Sequence, residues 1–238
     1  MKRATLWLSS IAITALIAGA SAQSWDESGD AGDLPGTAQV VAGSGPLASI
    51  NGYLNASDVD MFQIIICDVN VFKAWTVADF DTQLWLFDAS GNALWHNDDV
   101  PSDVVQPGQL GTNSYIGPGS AAANYRLSNG TNTGELGAGS ATWGLPGPGI
   151  YYIAVSGYNR DPRDSGGGRV VYSGYPYAGI YQSNPNDPDR VVASWTGSSS
   201  GGGYTINFEG ACFVPEPASM LVLGAGLAGL LGLRRRTR

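Results

Sequence analysis

The sequence predicts an all-β fold, an antiparallel β-sandwich or jelly roll, on three observations. Short runs of β-branched and aromatic residues alternate with clusters of Gly, Asn, Ser and Asp. No helical apolar period joins these runs in the middle of the chain, so the strands connect without crossover helices. Gly supplies 34 of 238 residues and only 13% of the chain is charged, too little for the salt-rich outer face of a helical bundle.

Residues 23–48 are rich in Gly, Asp and Ala without periodicity and read as a flexible leader. Asp58 to Cys67 is the first strong run, Asp68-Val69-Asn70 a short turn, and Val71 to Val77 a second strand. At period two, Phe62, Ile64 and Ile66 share one face, as do Phe72, Ala74 and Thr76, so the pair reads as a hairpin burying those faces. Thr82 to Phe87 follows, with Leu84 and Leu86 inward, then the turn Asp88-Ala89-Ser90-Gly91-Asn92 and a return strand, Ala93 to His96. A polar insertion spans residues 100–148. Gly149 to Tyr158 is a strand, a second insertion covers 159–200, and Tyr204 to Glu209 is the last strand. The expected sandwich domain is therefore 49–213. No internal repeat is visible, which argues against a propeller or β-helix.

Both ends read as processing signals. Lys2 and Arg3 precede an apolar run from Leu6 to Ala18, and Ala20-Ser21-Ala22 is a small-x-small site. Residues 1–22 are thus expected to be a signal-peptide helix that signal peptidase cuts between Ala22 and Gln23. At the other end, over 214–238, Val214-Pro215-Glu216-Pro217 leads into an apolar stretch, 218–233, closed by Arg234, Arg235 and Arg236. As a helix that stretch reaches about 24 Å, short of a hydrocarbon core of about 30 Å. The arginines hold its end in the cytoplasm by the positive-inside rule, which leaves the bulk of the chain outside.

This tripartite end resembles the PEP-CTERM sorting signal, in which Pro-Glu-Pro precedes a short apolar helix and an arginine cluster. Pro215, Glu216 and Pro217 match that pattern without departure. The resemblance implies export and transient insertion in the inner membrane. It also implies an exosortase, a membrane cysteine transpeptidase that cuts near the motif, and a final place at the cell surface or in an exopolysaccharide or biofilm matrix.

The charge agrees with life outside the cell. The formal net charge is −8, yet six of the twelve basic residues lie in the two ends, whereas all 20 acids fall between Asp26 and Glu216. So acidic a middle repels nucleic acid and anionic lipid and favours cations or neutral partners; simple solubility explains it equally well. The two cysteines, Cys67 and Cys212, are expected to pair in an oxidising compartment, with two buried thiols as the alternative.

Several runs resemble the pre-peptidase C-terminal domain: Asp-Val-Asp-Met-Phe at 58–62, the run from Asp81 to Asp88, Asn97-Asp98-Asp99, and the strand from Gly149 to Tyr158. That resemblance implies a jelly-roll sandwich appended to secreted or surface proteins, with calcium or extracellular polymers as ligands of some relatives.

Calcium, which takes six to eight oxygen ligands, is the one cofactor the residues suggest. Asp58, Asp60, Asp81, Asp98 and Asp99, with Asn97, flank strand ends that would bring them together; the alternative is solvated turn acids. Asp88, Ser90 and Asn92 have the spacing of a calcium loop, but Ala93 stands where that loop needs Gly, and a hairpin turn explains them. Trp75, Trp85, Trp95, Trp143 and Trp195 offer either faces for stacking on sugars or a second layer of the sandwich. Catalysis has little support. His96 is the lone histidine and reads as structural, no Gly-x-Ser-x-Gly elbow occurs, and Glu135 or Glu209 with an aspartate offers only the kind of glycosidase pair that any acidic chain contains. The expectation is a non-catalytic exported sandwich of the envelope or matrix. A calcium-dependent polysaccharide-binding module is the alternative, and a secreted hydrolase comes behind both.

Overall fold

The computed structural model describes residues 21–102, 104–117, 145–171, 180–182 and 190–216, which form strands and turns and no helix. Ala20 and the apolar run before it, Pro217, the stretch 218–233 and Arg234, Arg235 and Arg236 lie outside the described residues, as do parts of both insertions. The strands are β1 (Gln23–Asp26), β2 (Gln39–Val40), β3 (Ala42–Gly43), β4 (Leu47–Leu54), β5 (Val59–Ile66), β6 (Lys73–Ala78), β7 (Thr82–Asp88) and β8 (Ala93–Asn97). Then come β9 (Tyr115–Ile116), β10 (Gly149–Gly157), β11 (Asp161–Arg163), β12 (Ile180–Gln182), β13 (Ser194–Thr196), β14 (Gly202–Glu209), β15 (Ala211–Cys212) and β16 (Val214–Pro215).

Two sheets face each other. One has five strands in the order β1-β4-β14-β6-β9. The other has seven, in the order β12-β8-β7-β10-β5-β15 with β2 also on β5. Within these two sheets pairing is antiparallel except for β1 on β4 and β2 on β5. The period-two pattern explains the interior. Phe62, Ile64 and Ile66 of β5, Leu84 and Leu86 of β7, and Ile153 and Val155 of β10 meet Ile50 and Leu54 of β4, Ile206 and Phe208 of β14, and Ala74 of β6 in one buried cluster. Each large aliphatic or aromatic side chain so buried contributes about 1.5–3 kcal/mol.

The expected hairpin of β5 and β6 does not form. The inward faces are as read, but β5 lies in the seven-stranded sheet and β6 in the five-stranded one. Residues 67–72 cross between layers, so the two apolar faces meet across the interior rather than side by side. The chain crosses again between β14 and β15, at Gly210, whose φ of 73° suits glycine. A Cβ there would lie 2.6 Å from the Asp68 carbonyl oxygen and 2.9 Å from the Phe72 nitrogen. Cys67 N–H and Asp68 N–H both donate to the Gly210 carbonyl, at 2.9 and 3.1 Å. The Cys67–Cys212 disulfide joins the two crossings, with Cα atoms 5.9 Å apart and a sequence separation of 145.

The outer face of the seven-stranded sheet is also covered. Val59, Met61, Trp85, Phe87, Ala154 and Tyr181 form a second buried cluster with Val170, Val171, Val192 and Trp195. The small β11–β13 sheet brings Trp195 edge-on to Trp85, with centroids 5.8 Å apart. This is why all of β7 from Thr82 to Phe87 is buried.

Residues 23–48, expected as a flexible leader, pack against the body instead. Strand β1 adds to β4, Ala31 and Val41 are buried, and Trp25 sets its ring against Phe62 at 5.9 Å. Trp195 Nε1–H donates to the Asp33 carbonyl at 2.7 Å. Backbone pairing holds this segment where apolar periodicity is absent, so its composition concealed it.

Candidate functional site

Acidic side chains gather at one end of the seven-stranded sheet, in two groups rather than one. Asp81 immediately precedes β7, and Asp98 and Asp99 immediately follow β8. The β7–β8 pairing of Leu84 with Asn97 brings these ends together. One carboxylate oxygen from each of the three lies within 4.8 Å of the others. The start of the first insertion braces them: Ser114 Oγ–H reaches the carbonyls of Asp98 (2.8 Å) and Thr82 (2.7 Å), and Asn97 Nδ2–H donates to the Asp99 carbonyl at 2.9 Å. Asp98 is 3% exposed. Burial raises its pKa to about 8, helped by the charges of Asp81, Asp99 and Asp161 and opposed by a hydrogen bond from Gln83. Burial and then Asp99 raise Asp81 to about 6, and burial raises Asp99. One oxygen each of Asp81, Asp98 and Asp161 is buried without a hydrogen-bond partner among the described residues.

The second group joins Asp60 to Glu27 and Asp30, two acids absent from the sequence-based set. Strand β10 stands between β5 and β7, so Asp60 and Asp81 do not share a site. Asp60 points inward from β5 and is fully buried. Tyr204 Oη–H donates to its Oδ2 at 2.7 Å, while Oδ1 has no partner among the described residues. Burial raises Asp60 to about 8, with the charges of Glu27, Asp58 and Asp30 adding to it and the Tyr204 bond opposing. Asp58 stands at the edge, its Oδ1 accepting from Val59 N–H at 2.9 Å. Its charge, followed by burial, raises Asp30. Sequence reasoning missed Glu27 and Asp30 because the leader in which they lie has no pattern that shows docking.

The other candidates resolve differently. Asp88 Oδ1 accepts from the backbone N–H of Ser90 (2.8 Å) and Asn92 (2.9 Å), as a hairpin turn requires. His96 is fully buried and stacks on Trp85 with centroids 3.6 Å apart. Its Nδ1 faces the Leu84 carbonyl at 3.2 Å. Burial lowers its pKa to about 3, so it stays neutral and packs. Trp85, Trp95 and Trp195 are buried and present no face to a sugar; Trp75 is half-buried, and Trp143 and Glu135 lie outside the described residues. Glu209 is ion-paired with Lys73 at 2.7 Å.

The described start of the C-terminal signal is part of the fold. Phe213 is buried, its N–H donates to the Gly45 carbonyl, and its ring lies where a Cβ on Gly43 would sit. Val214 N–H donates to the Val41 carbonyl at 2.9 Å, and β16 pairs in parallel with β3. Pro215 and Glu216 are exposed. At the other processing site, Ala22 and Gln23 are exposed as well, directly before and at the start of β1.

The two buried carboxyls set a pH dependence. In the folded state Asp60 and Asp98 titrate near 8 rather than at the ordinary 3.8, so the folded chain holds protons that the unfolded chain has released. Their contribution is fully present below about pH 4 and is lost as the pH rises through about 8. His96, lowered from 6.5 to about 3, is neutral in both states above that range. In a chelating buffer, stability is expected to fall by on the order of 2 kcal/mol per carboxyl between about pH 6.5 and about pH 9, and the melting temperature to fall with it. Thermal unfolding followed by circular dichroism checks this, and a constant or rising melting temperature would contradict it.

No curated protein and no solved structure matches the chain. Residues 213–236 match the PEP-CTERM protein-sorting motif. The match begins at the buried Phe213 and runs through the exposed Pro215 and Glu216. The chain therefore carries the sorting motif of exported proteins handled by an exosortase.

Proposed function

We propose that this chain is a non-catalytic β-sandwich delivered to the cell envelope or the exopolysaccharide matrix after an exosortase cuts it at its C-terminal motif. The observation that carries this reading is the motif match at 213–236, which follows directly on the disulfide-stapled strand β15. The sandwich then remains as the mature product, closed on itself by the Cys67–Cys212 bridge. One point supports a structural rather than catalytic role: His96 is buried as a neutral packing group. Exposed Pro215 and Glu216 give a membrane enzyme access to the start of the motif without opening the sandwich.

The test is processing in a bacterium with and without its exosortase, using the full chain with a C-terminal tag. The wild type is expected to lose the tag only where the exosortase is present, and Glu216→Ala to keep it in both. Equal retention of the tag by the wild type in the two strains would refute the reading.

A second reading, a calcium-dependent polysaccharide-binding module, draws on the Asp81, Asp98 and Asp99 group. It predicts retention on matrix polysaccharide in calcium and release in a chelator. Equal retention in both would count against it.

A further inference from the structure

The N-terminal segment meets the sandwich at a group of carboxylates, Glu27, Asp30 and Asp60. Glu27 follows β1 and is oriented by two backbone donors: Ala31 N–H to Oε1 at 2.9 Å and Tyr53 N–H to Oε2 at 3.0 Å. Asp30 is exposed and stands beside Asp58. Asp60 completes the group from inside the sandwich: fully buried, held at Oδ2 by Tyr204, and with Oδ1 unpartnered among the described residues. One carboxylate oxygen each of Glu27, Asp30 and Asp60 lies within 4.8 Å of the others. The Lys73–Glu209 and Arg163–Asp161 ion pairs both lie outside this group. Gly52 lies against it, and a Cβ there would strike Tyr204 Oη and Glu27 Oε2.

A buried carboxylate oxygen with no donor, set among other carboxylates, is costly unless a proton or a cation sits between them. The arrangement has the features a cation needs: hard oxygen donors, oriented carboxylates, and one exposed member that leaves an entry path. We propose that Glu27, Asp30 and Asp60 bind a divalent cation, calcium by the all-oxygen chemistry of the donors, and that this ion fastens the N-terminal segment to β5. Three carboxylates, each able to bind through one or two oxygens, leave the remaining calcium positions to water. Magnesium, which demands tight octahedral geometry and keeps several waters, suits these fixed carboxylates less well. The site is independent of the Asp81, Asp98 and Asp99 group, which uses other strands.

Terbium luminescence of the full chain, stripped with a chelator and kept in detergent, tests this. Trp25, two residues before Glu27 and packed on Phe62, is the local antenna. Sensitised emission is expected to saturate, to fall in Trp25→Phe, and to be displaced by calcium at about 1 mM or below but not by equal magnesium. Asp30→Asn, an exposed change that leaves folding intact, should weaken this component about tenfold, and Asp60→Asn should abolish it. Asp98→Asn should leave it in place. Calcium should also slow proteolysis within residues 23–43. The proposal is overturned if no emission depends on Trp25, or if both Asp30→Asn and Asp60→Asn leave the Trp25-dependent component unchanged.

Discussion

Strand β5 is the member on which the rest of this structure depends, because both of its ends are fixed by chemistry rather than by packing alone. At its C-terminal end Cys67 is bonded to Cys212, beside the crossings at residues 67–72 and at Gly210. At its N-terminal end Asp60 carries a buried carboxyl into the interior. Along it Phe62, Ile64 and Ile66 fill the sandwich, and Val59 and Met61 fill the outer layer. A covalent link across so long a loop restricts the unfolded chain strongly, by about 4–5 kcal/mol in the chain-entropy view. It also sets the relation of the last strands to the first, and hence where the sorting motif emerges.

That placement links fold to processing. The matched motif starts inside the fold, with Phe213 packed against Gly43 and Val214 bonded to Val41, and becomes exposed at Pro215. Only a few residues separate the disulfide from the exposed Pro-Glu pair. The sandwich thus runs to within a few residues of the exposed Pro-Glu pair, with no long linker between Cys212 and Glu216.

Much of this was legible in the sequence, and the parts that were not have physical reasons. The cores of β5, β6, β7, β10 and β14 follow from period-two patterns, as do the inward Leu84 and Leu86 and the Asp88 turn. The Cys67–Cys212 pairing follows from an even cysteine count in an exported chain. Layer assignment did not follow. A short turn such as 68–70 can close a hairpin or span two sheets, and what decides between them is the distant Gly210 crossing and the disulfide. Strands β1 to β3 were hidden because main-chain pairing, not an apolar face, holds them. The same blindness split the acid set. Asp81, Asp98 and Asp99 do converge, whereas Asp60 lies across β10 and finds Glu27 and Asp30 from the segment read as a leader. Trp85 was ambiguous because β7 is buried on both faces, and only Trp195 and its neighbours, far along the chain, show what covers it.

If the disulfide ties the returning C-terminal strand β15 to β5, the most direct measurement is urea unfolding of the protein with the Cys67–Cys212 bond intact and after reduction. The account predicts a single cooperative transition in each case, with the reduced form less stable by about 4 kcal/mol. An unchanged midpoint on reduction would show that the bridge between β5 and β15 adds nothing to stability and would contradict it.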